Sequence, residues 1–238
     1  MPRAWEDTFD EVKKKNEDVR RKMFIDSIRE KVPAIDPDLA FLTPGEVLEA
    51  MNGNEVITGF HRKLREEYKA PEREIGLLFP DADRKPWTQG VTSALSYRNL
   101  HMSLKNLQMN DKVALYTISP VLGIVPADWY DSMPMYDSGG VQSFMVRRRG
   151  LPWNPDDFRS VINMAGEIVS DFLGKHHETC GKWHIMYRDP SVHQRIFEAA
   201  MDIRPLPVWP HKTKKSLSDS YLQMKKILTE IRDEGEES

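Results

Sequence analysis

The stretch from Val113 to Asp137, VALYTISPVLGIVPADWYDSMPMYD, constrains the fold of this chain more than any other. Val113, Ala114, Leu115, Tyr116 and Ile118 form a short β-rich apolar run of the kind that fills a buried strand. The run breaks at Ser119-Pro120, because proline has no N–H to donate to a sheet ladder. A second apolar run, Leu122 to Val125, stops at Pro126. The irregular segment after it gathers Trp129, Pro134, Tyr136 and Asp137. In an open α/β sheet, loops leaving the carboxyl ends of strands hold the ligand. The segment from Ser119 to Asp137 is therefore either a ligand loop or a connector shaped by Pro120, Pro126 and Tyr136.

The rest of the chain alternates helical and strand patterns. Residues 5–32 read as a charged amphipathic helix with Phe9, Val12, Val19, Met23, Ile28 and Val32 on one side. Thr43 caps a short helix that begins at Pro44, with Glu46 at the capping-box position. Asn54–Tyr68 is a second amphipathic helix. Glu74–Pro80 is a buried strand leading into a charged loop, and Ser93–Met109 is helical. Asn154 caps a helix from Pro155 to Leu173, with Asp156 and Asp157 suited to its positive end. Trp183–Tyr187 is a short strand, Ser191–Met201 a helix, Val208 an edge strand and Ser218–Arg232 a last helix. Helix and strand alternating at this spacing predict an α/β fold with a mainly parallel sheet and helices on both faces. The expected organisation is an N-terminal helical extension over residues 1–50, an α/β domain over 51–232 and an acidic tail over 233–238.

At 238 residues with a net charge of −3, the chain has no global attraction to nucleic acid, so any such contact needs a local patch. Its single cysteine, Cys180, excludes an internal disulfide and a cysteine-based zinc cluster, and fits a reducing cytoplasm. No apolar run has the length of a membrane span and the N-terminus is charged from Arg3, so neither a membrane anchor nor a leader is expected. His176, His177, Cys180 and His184 cross a helix end and a strand, which argues against their convergence on a metal. No metal and no cofactor are expected.

Ile118, Ser119, Pro120, Leu122, Gly123, Val125, Pro126, Pro134, Tyr136 and Asp137 match in order a pattern in the central domain of archaeal archaeosine synthase. That family is related to the archaeal tRNA-guanine transglycosylases. The resemblance extends more weakly from about Asn54 to about Leu228. It implies a three-layer αβα arrangement similar to uracil-DNA glycosylase-like folds. It also implies a role in modifying a deazaguanine base in tRNA. In the family, a lysine side chain is joined to the nitrile of 7-cyano-7-deazaguanine. By that resemblance Ser119, Gly123, Tyr136 and Asp137 bind substrate, with Trp129 a further ring to stack on a base.

The family signature falls on Pro80 to Ser96, and here the chain departs from it. The signature reads Pro-Cys, three residues, Lys-Pro-Tyr, two residues, Ser, two residues, His. This chain has Pro80, then Asp81 in place of the cysteine; Lys85 and Pro86 match, and Trp87 replaces the tyrosine. Without a gap, Gly90 and Ser93 stand for the serine and histidine. With a four-residue insertion Ala94 and Tyr97 do, and Arg98 continues the match. Aspartate is a hard anion and cannot do the work of a thiolate, and no histidine titrates in this loop. Lys85 reads as an anion contact or as a surface residue. The candidate catalytic residues are Lys85 and Asp81, with Trp87 beside them as a substrate contact.

Arg147, Arg148 and Arg149 follow Gly139 and Gly140 and precede Gly150, so they read as a basic cluster on a flexible loop. They are either a phosphate grip for RNA or a solvated surface. The resemblance lacks the transglycosylase-like region and RNA-binding domain of larger family members. The expectation is thus a stand-alone archaeosine-synthase-like protein that handles tRNA with a second protein subunit and is non-catalytic or partner-dependent. The alternative is an active amine or lysine transferase.

Overall fold

The computed structural model describes residues 18–19, 21–88, 94–148, 150–214, 217 and 221–236. Most of the expected 5–32 helix before residue 21, the loop positions Gly90 and Ser93, Arg149, the 218–220 start of the last helix and the final two residues lie outside them. Residues 21–29 form α1. Then follow α2 (Pro44–Gly53), α3 (Glu55–Glu66), β1 (Arg73–Pro80), α4 (Leu95–Asn106), β2 (Val113–Ser119) and β3 (Gly123–Pro126). The chain continues through α5 (Ser143–Arg148), α6 (Pro155–His176), β4 (Cys180–Arg188), α7 (Val192–Ile203), β5 (Val208–Thr213) and α8 (Tyr221–Glu236).

Helix starts follow side-chain caps. Thr43 Oγ1 accepts from Glu46 N at 3.3 Å, while Glu46 Oε2 accepts from Leu42 N at 2.9 Å, one residue short of the reciprocal capping-box bond. Asn54 Oδ1 accepts from Val56 N and Ile57 N, and Asn154 Oδ1 accepts from Asp156 N.

The fold is α/β, with a five-stranded, mostly parallel sheet in the order β3-β2-β1-β4-β5. β1 lies parallel between β2 and β4, and β5 is a parallel edge. The pairing Ile75↔Val113 through Pro80↔Ile118 sets the two apolar runs side by side, as their sequences lead one to expect. β3 is antiparallel to β2, joined by a hairpin in which Ser119 pairs with Gly123. The crossovers β1-α4-β2 and β4-α7-β5 run in opposite directions across the sheet, and the right-handed rule then sets α4 and α7 on opposite faces. α4 packs on α8, and α6 packs on α7 and α2. These are the three layers αβα.

Side chains of the central strands alternate between the two halves of the core. Tyr116 meets Phe172 of α6 and stacks on Trp183, and Phe79 meets Tyr97 of α4. Trp183 reaches across Gly76, where a β-carbon would lie 2.5 Å from its ring. The N-terminal segment is not detached. Gly140 N donates to Phe41 O, Asp137 N donates to Leu39 O, and α2 runs across residue 50. The acidic stretch from residue 233 continues α8 as far as Glu236. Among the described residues no helix is long and apolar enough to cross a membrane.

Candidate functional site

β1 and β4 are neighbours, but the chain leaves them in opposite directions, β1 toward β2 and β4 toward β5. Where outgoing connections diverge, a crevice opens beyond the carboxyl ends of the strands. Asp81 is the first residue after β1, and His193 lies in the first turn of α7 after β4. They meet in that crevice, with His193 Nε2 2.7 Å from Asp81 Oδ1.

Asp81 is held from below by hydroxyls. Tyr136 Oη and Ser138 Oγ each donate to Asp81 Oδ2 at 3.2 Å. Ser119 Oγ lies 2.6 Å from Tyr136 Oη and accepts from Val121 N and Leu122 N. With both its acceptor sites so used, the Ser119 hydroxyl donates to Tyr136, which donates to Asp81. Burial pushes the Asp81 carboxyl up, but the hydrogen bond and charge of His193, the charge of Lys85 and the Ser138 hydroxyl hold it below the ordinary range. Burial, then the Asp81 charge, raises Tyr136 well above the usual phenol value, so it stays a donor.

Lys85 is neither a surface residue nor an open anion contact. It is 4% exposed, with Nζ 4.2 Å from the Tyr136 ring centre and 3.1 Å from Ala82 O, to which it donates. Burial pushes its amine down, against the opposing pull of Asp81, Asp137 and Asp83. Trp87 is fully buried, stacked on Tyr97, and donates its indole N–H to Ala82 O. Tyr97, where the inserted alignment puts the family histidine, donates its hydroxyl to Pro80 O. Trp129 is half-buried and packs edge-on against Phe60 and Tyr68 at the margin of the core.

Two clefts open on the Asp81–His193 pair. The larger, about 820 Å³, is lined by Asp81, Ser138 and His193, by Arg147, Arg159, Arg188 and Arg195, and by Phe144, Trp153 and Phe158. Asp81 is its only acid among the described residues. The Trp153 and Phe158 rings lie 5.0 Å apart, the Arg195 guanidinium is 5.6 Å from Phe158, and Phe144 is 68% exposed. The smaller cleft, about 410 Å³, runs toward α1 past Lys31, Asp83 and Asp137.

Of the residues singled out in the sequence, Asp81, Asp137 and Arg147 line a cleft. Ser119, Tyr136, Lys85 and Trp87 form the layer behind the wall. Gly123 is not brought to the site: it faces Ile168 of α6 at a φ of +69°. Asp137 Oδ2 accepts from Gly139 N, closing its own turn. The Arg147 segment is not a free glycine loop, because it is the helix α5 and buried Gly140 has Phe41 O and Thr43 O too near for any β-carbon. Arg148 stands outside both clefts, and Arg149 lies outside the described residues.

His193, Ser138, Arg188, Arg195 and the Trp153–Phe158 pair were not singled out from the sequence. The signal was present: the rule that ligand loops follow parallel strands applies to β4 as it does to β1, and residues 189–191 are that loop, leading directly into the turn of α7 that carries His193. Among the described residues no group of three or more His, Cys, Asp or Glu is placed to hold a metal. His176 packs against Tyr68 and Phe172, while His184 pairs with His211. Comparison with models of known families, with curated proteins and with solved structures finds no match to this chain.

Proposed function

We propose that this chain is an archaeosine-synthase-like protein of tRNA modification, which takes a deazaguanine nucleoside of tRNA into the larger cleft and works with a second protein subunit. One observation carries the reading. In a chain of net charge −3, four arginines and three aromatic rings line one cleft at the divergence of β1 and β4. Arginines grip phosphates, and aromatic faces stack on bases whatever their identity. Among the described residues Arg147 and Arg188 have no carboxylate within ion-pair distance, which leaves both for a ligand. The parallel core with its cleft beyond the carboxyl edge supports the likeness to uracil-DNA glycosylase-like folds. A role on tRNA and the free thiol of Cys180 support a cytoplasmic setting.

A specific observation favours a second reading, that the chain is itself an amine or lysine transferase. Although the signature loop has no histidine, one stands against Asp81 from α7. The test is mass spectrometry of tRNA nucleosides from cells lacking the gene. Accumulation of the cyano-deazaguanine nucleoside is expected, and an unchanged nucleoside profile would overturn the proposal.

A further inference from the structure

We infer that His193 is a proton-transfer residue for a ligand held where the two clefts meet, and that Asp81 is the group that positions its ring. The inference rests on the reading of the cleft as a tRNA nucleoside site and names how that site would do chemistry.

The geometry sets the histidine's state. Asp81 is ionised, and an ionised carboxylate only accepts, so Nε2 carries a proton and Nδ1 is the ring nitrogen that can take up or release one. Nδ1 has no hydrogen-bond partner among the described residues, and His193 lines both clefts with its side chain 17% exposed. Tyr136 and Ser138 fix Asp81 in turn, so the imidazole is oriented through two layers of hydrogen bonds. The other described histidines are engaged differently. His61 and His101 bond backbone carbonyls, and His184 and His211 bond each other. Among the described residues only His193 bonds a buried carboxylate. An oriented carboxylate–imidazole pair facing a cleft is the arrangement that shuttles protons in unrelated enzymes.

For amine addition to a nitrile, the step balances without any further reactant. The amine nitrogen bonds to the nitrile carbon, and one π pair of the C≡N bond moves onto the nitrile nitrogen. His193 Nδ1 takes a proton from the amine nitrogen and returns it to the nitrile nitrogen. The product is an amidine; no group leaves and nothing is oxidised or reduced. While Nδ1 holds the proton, the imidazolium sits against the Asp81 carboxylate, which stabilises it.

The experiment is a single-turnover assay with tRNA carrying cyano-deazaguanine, lysine and an extract of cells lacking the gene, to which the full-length protein or its His193→Gln variant is added. With the unsubstituted protein, amidine product is expected. With His193→Gln, at tRNA concentrations that saturate the variant, the rate falls roughly 100-fold or more. Equal rates would overturn the inference and leave the tRNA reading standing. Absence of product with the unsubstituted protein would remove both. NMR of protein labelled with ¹⁵N-histidine gives a second readout that does not depend on a variant folding. In its neutral form the His193 ring is expected to keep its proton on Nε2, and to lose that preference in Asp81→Asn. A neutral ring that keeps its proton on Nδ1 instead of Nε2 in the unsubstituted protein would overturn the inference on its own.

Discussion

Asp81 shows how a single position can read one way in the sequence and another in the fold. In the chain it stands where the resembled family has cysteine, and a hard anion reads there as a lost nucleophile. In the structure it is a buried carboxylate with three side-chain partners. Its partner His193 is 112 residues away, and no local pattern reveals that β1 and β4 are neighbours. The strand-end rule found Asp81 and the Ser119 loop because both follow apolar runs. It could not show that Tyr136 and Lys85 would be buried behind the wall. Two outcomes belong to this scale. Because the folded Asp81 carboxyl lies below its ordinary value of 3.8, its contribution to stability is present above that pH and is lost as pH falls through the lower folded value. Asp81→Asn should therefore flatten the acid limb of stability below about pH 4, read by urea midpoints across pH. Tyr136→Phe removes a donor to Asp81 and the acceptor of Ser119, and should cost about 1–3 kcal/mol by urea denaturation.

Elements were more legible than contacts. Thr43, Asn54 and Asn154 start helices where their side chains can accept from free N–H groups, and the runs at Glu74 and Val113 are strands because both faces are covered. Two elements escaped. Leu122–Val125 looked like a bare apolar run, yet from Gly123 it is a strand, because the positive φ of Gly123 turns the chain back onto β2. The arginine segment looks mobile from its glycines, but Gly140 is there for close approach to residues 41–43. Gly123→Ala should lose about 2–5 kcal/mol, the sum of a left-handed backbone and overpacking against Ile168. Pairing it with Ile168→Ala should relieve the crowding against Ile168 but leave the backbone strain. Asn154→Ala should cost about 1 kcal/mol, seen in the thermal midpoint.

At the scale of the whole molecule, composition predicted that nucleic-acid contact would have to be local, and the fold supplies a local patch. Arg147, Arg159, Arg188 and Arg195 come from α5, α6, the end of β4 and α7, and only the topology gathers them. The reversal of direction between β1 and β4 both opens the cleft and delivers His193 to Asp81. Affinity for tRNA should accordingly be salt-dependent even though the protein is acidic overall. The most direct measurement of the central claim is tRNA affinity against salt concentration for three proteins: unsubstituted, Arg188→Ala in the cleft, and Arg232→Ala on α8. The expected result is that Arg188→Ala lowers the slope of log affinity on log salt by about one, with Arg232→Ala matching the unsubstituted protein. Equal slopes for all three, or no tRNA binding at low salt, would contradict a nucleic-acid cleft at the carboxyl edge of the sheet.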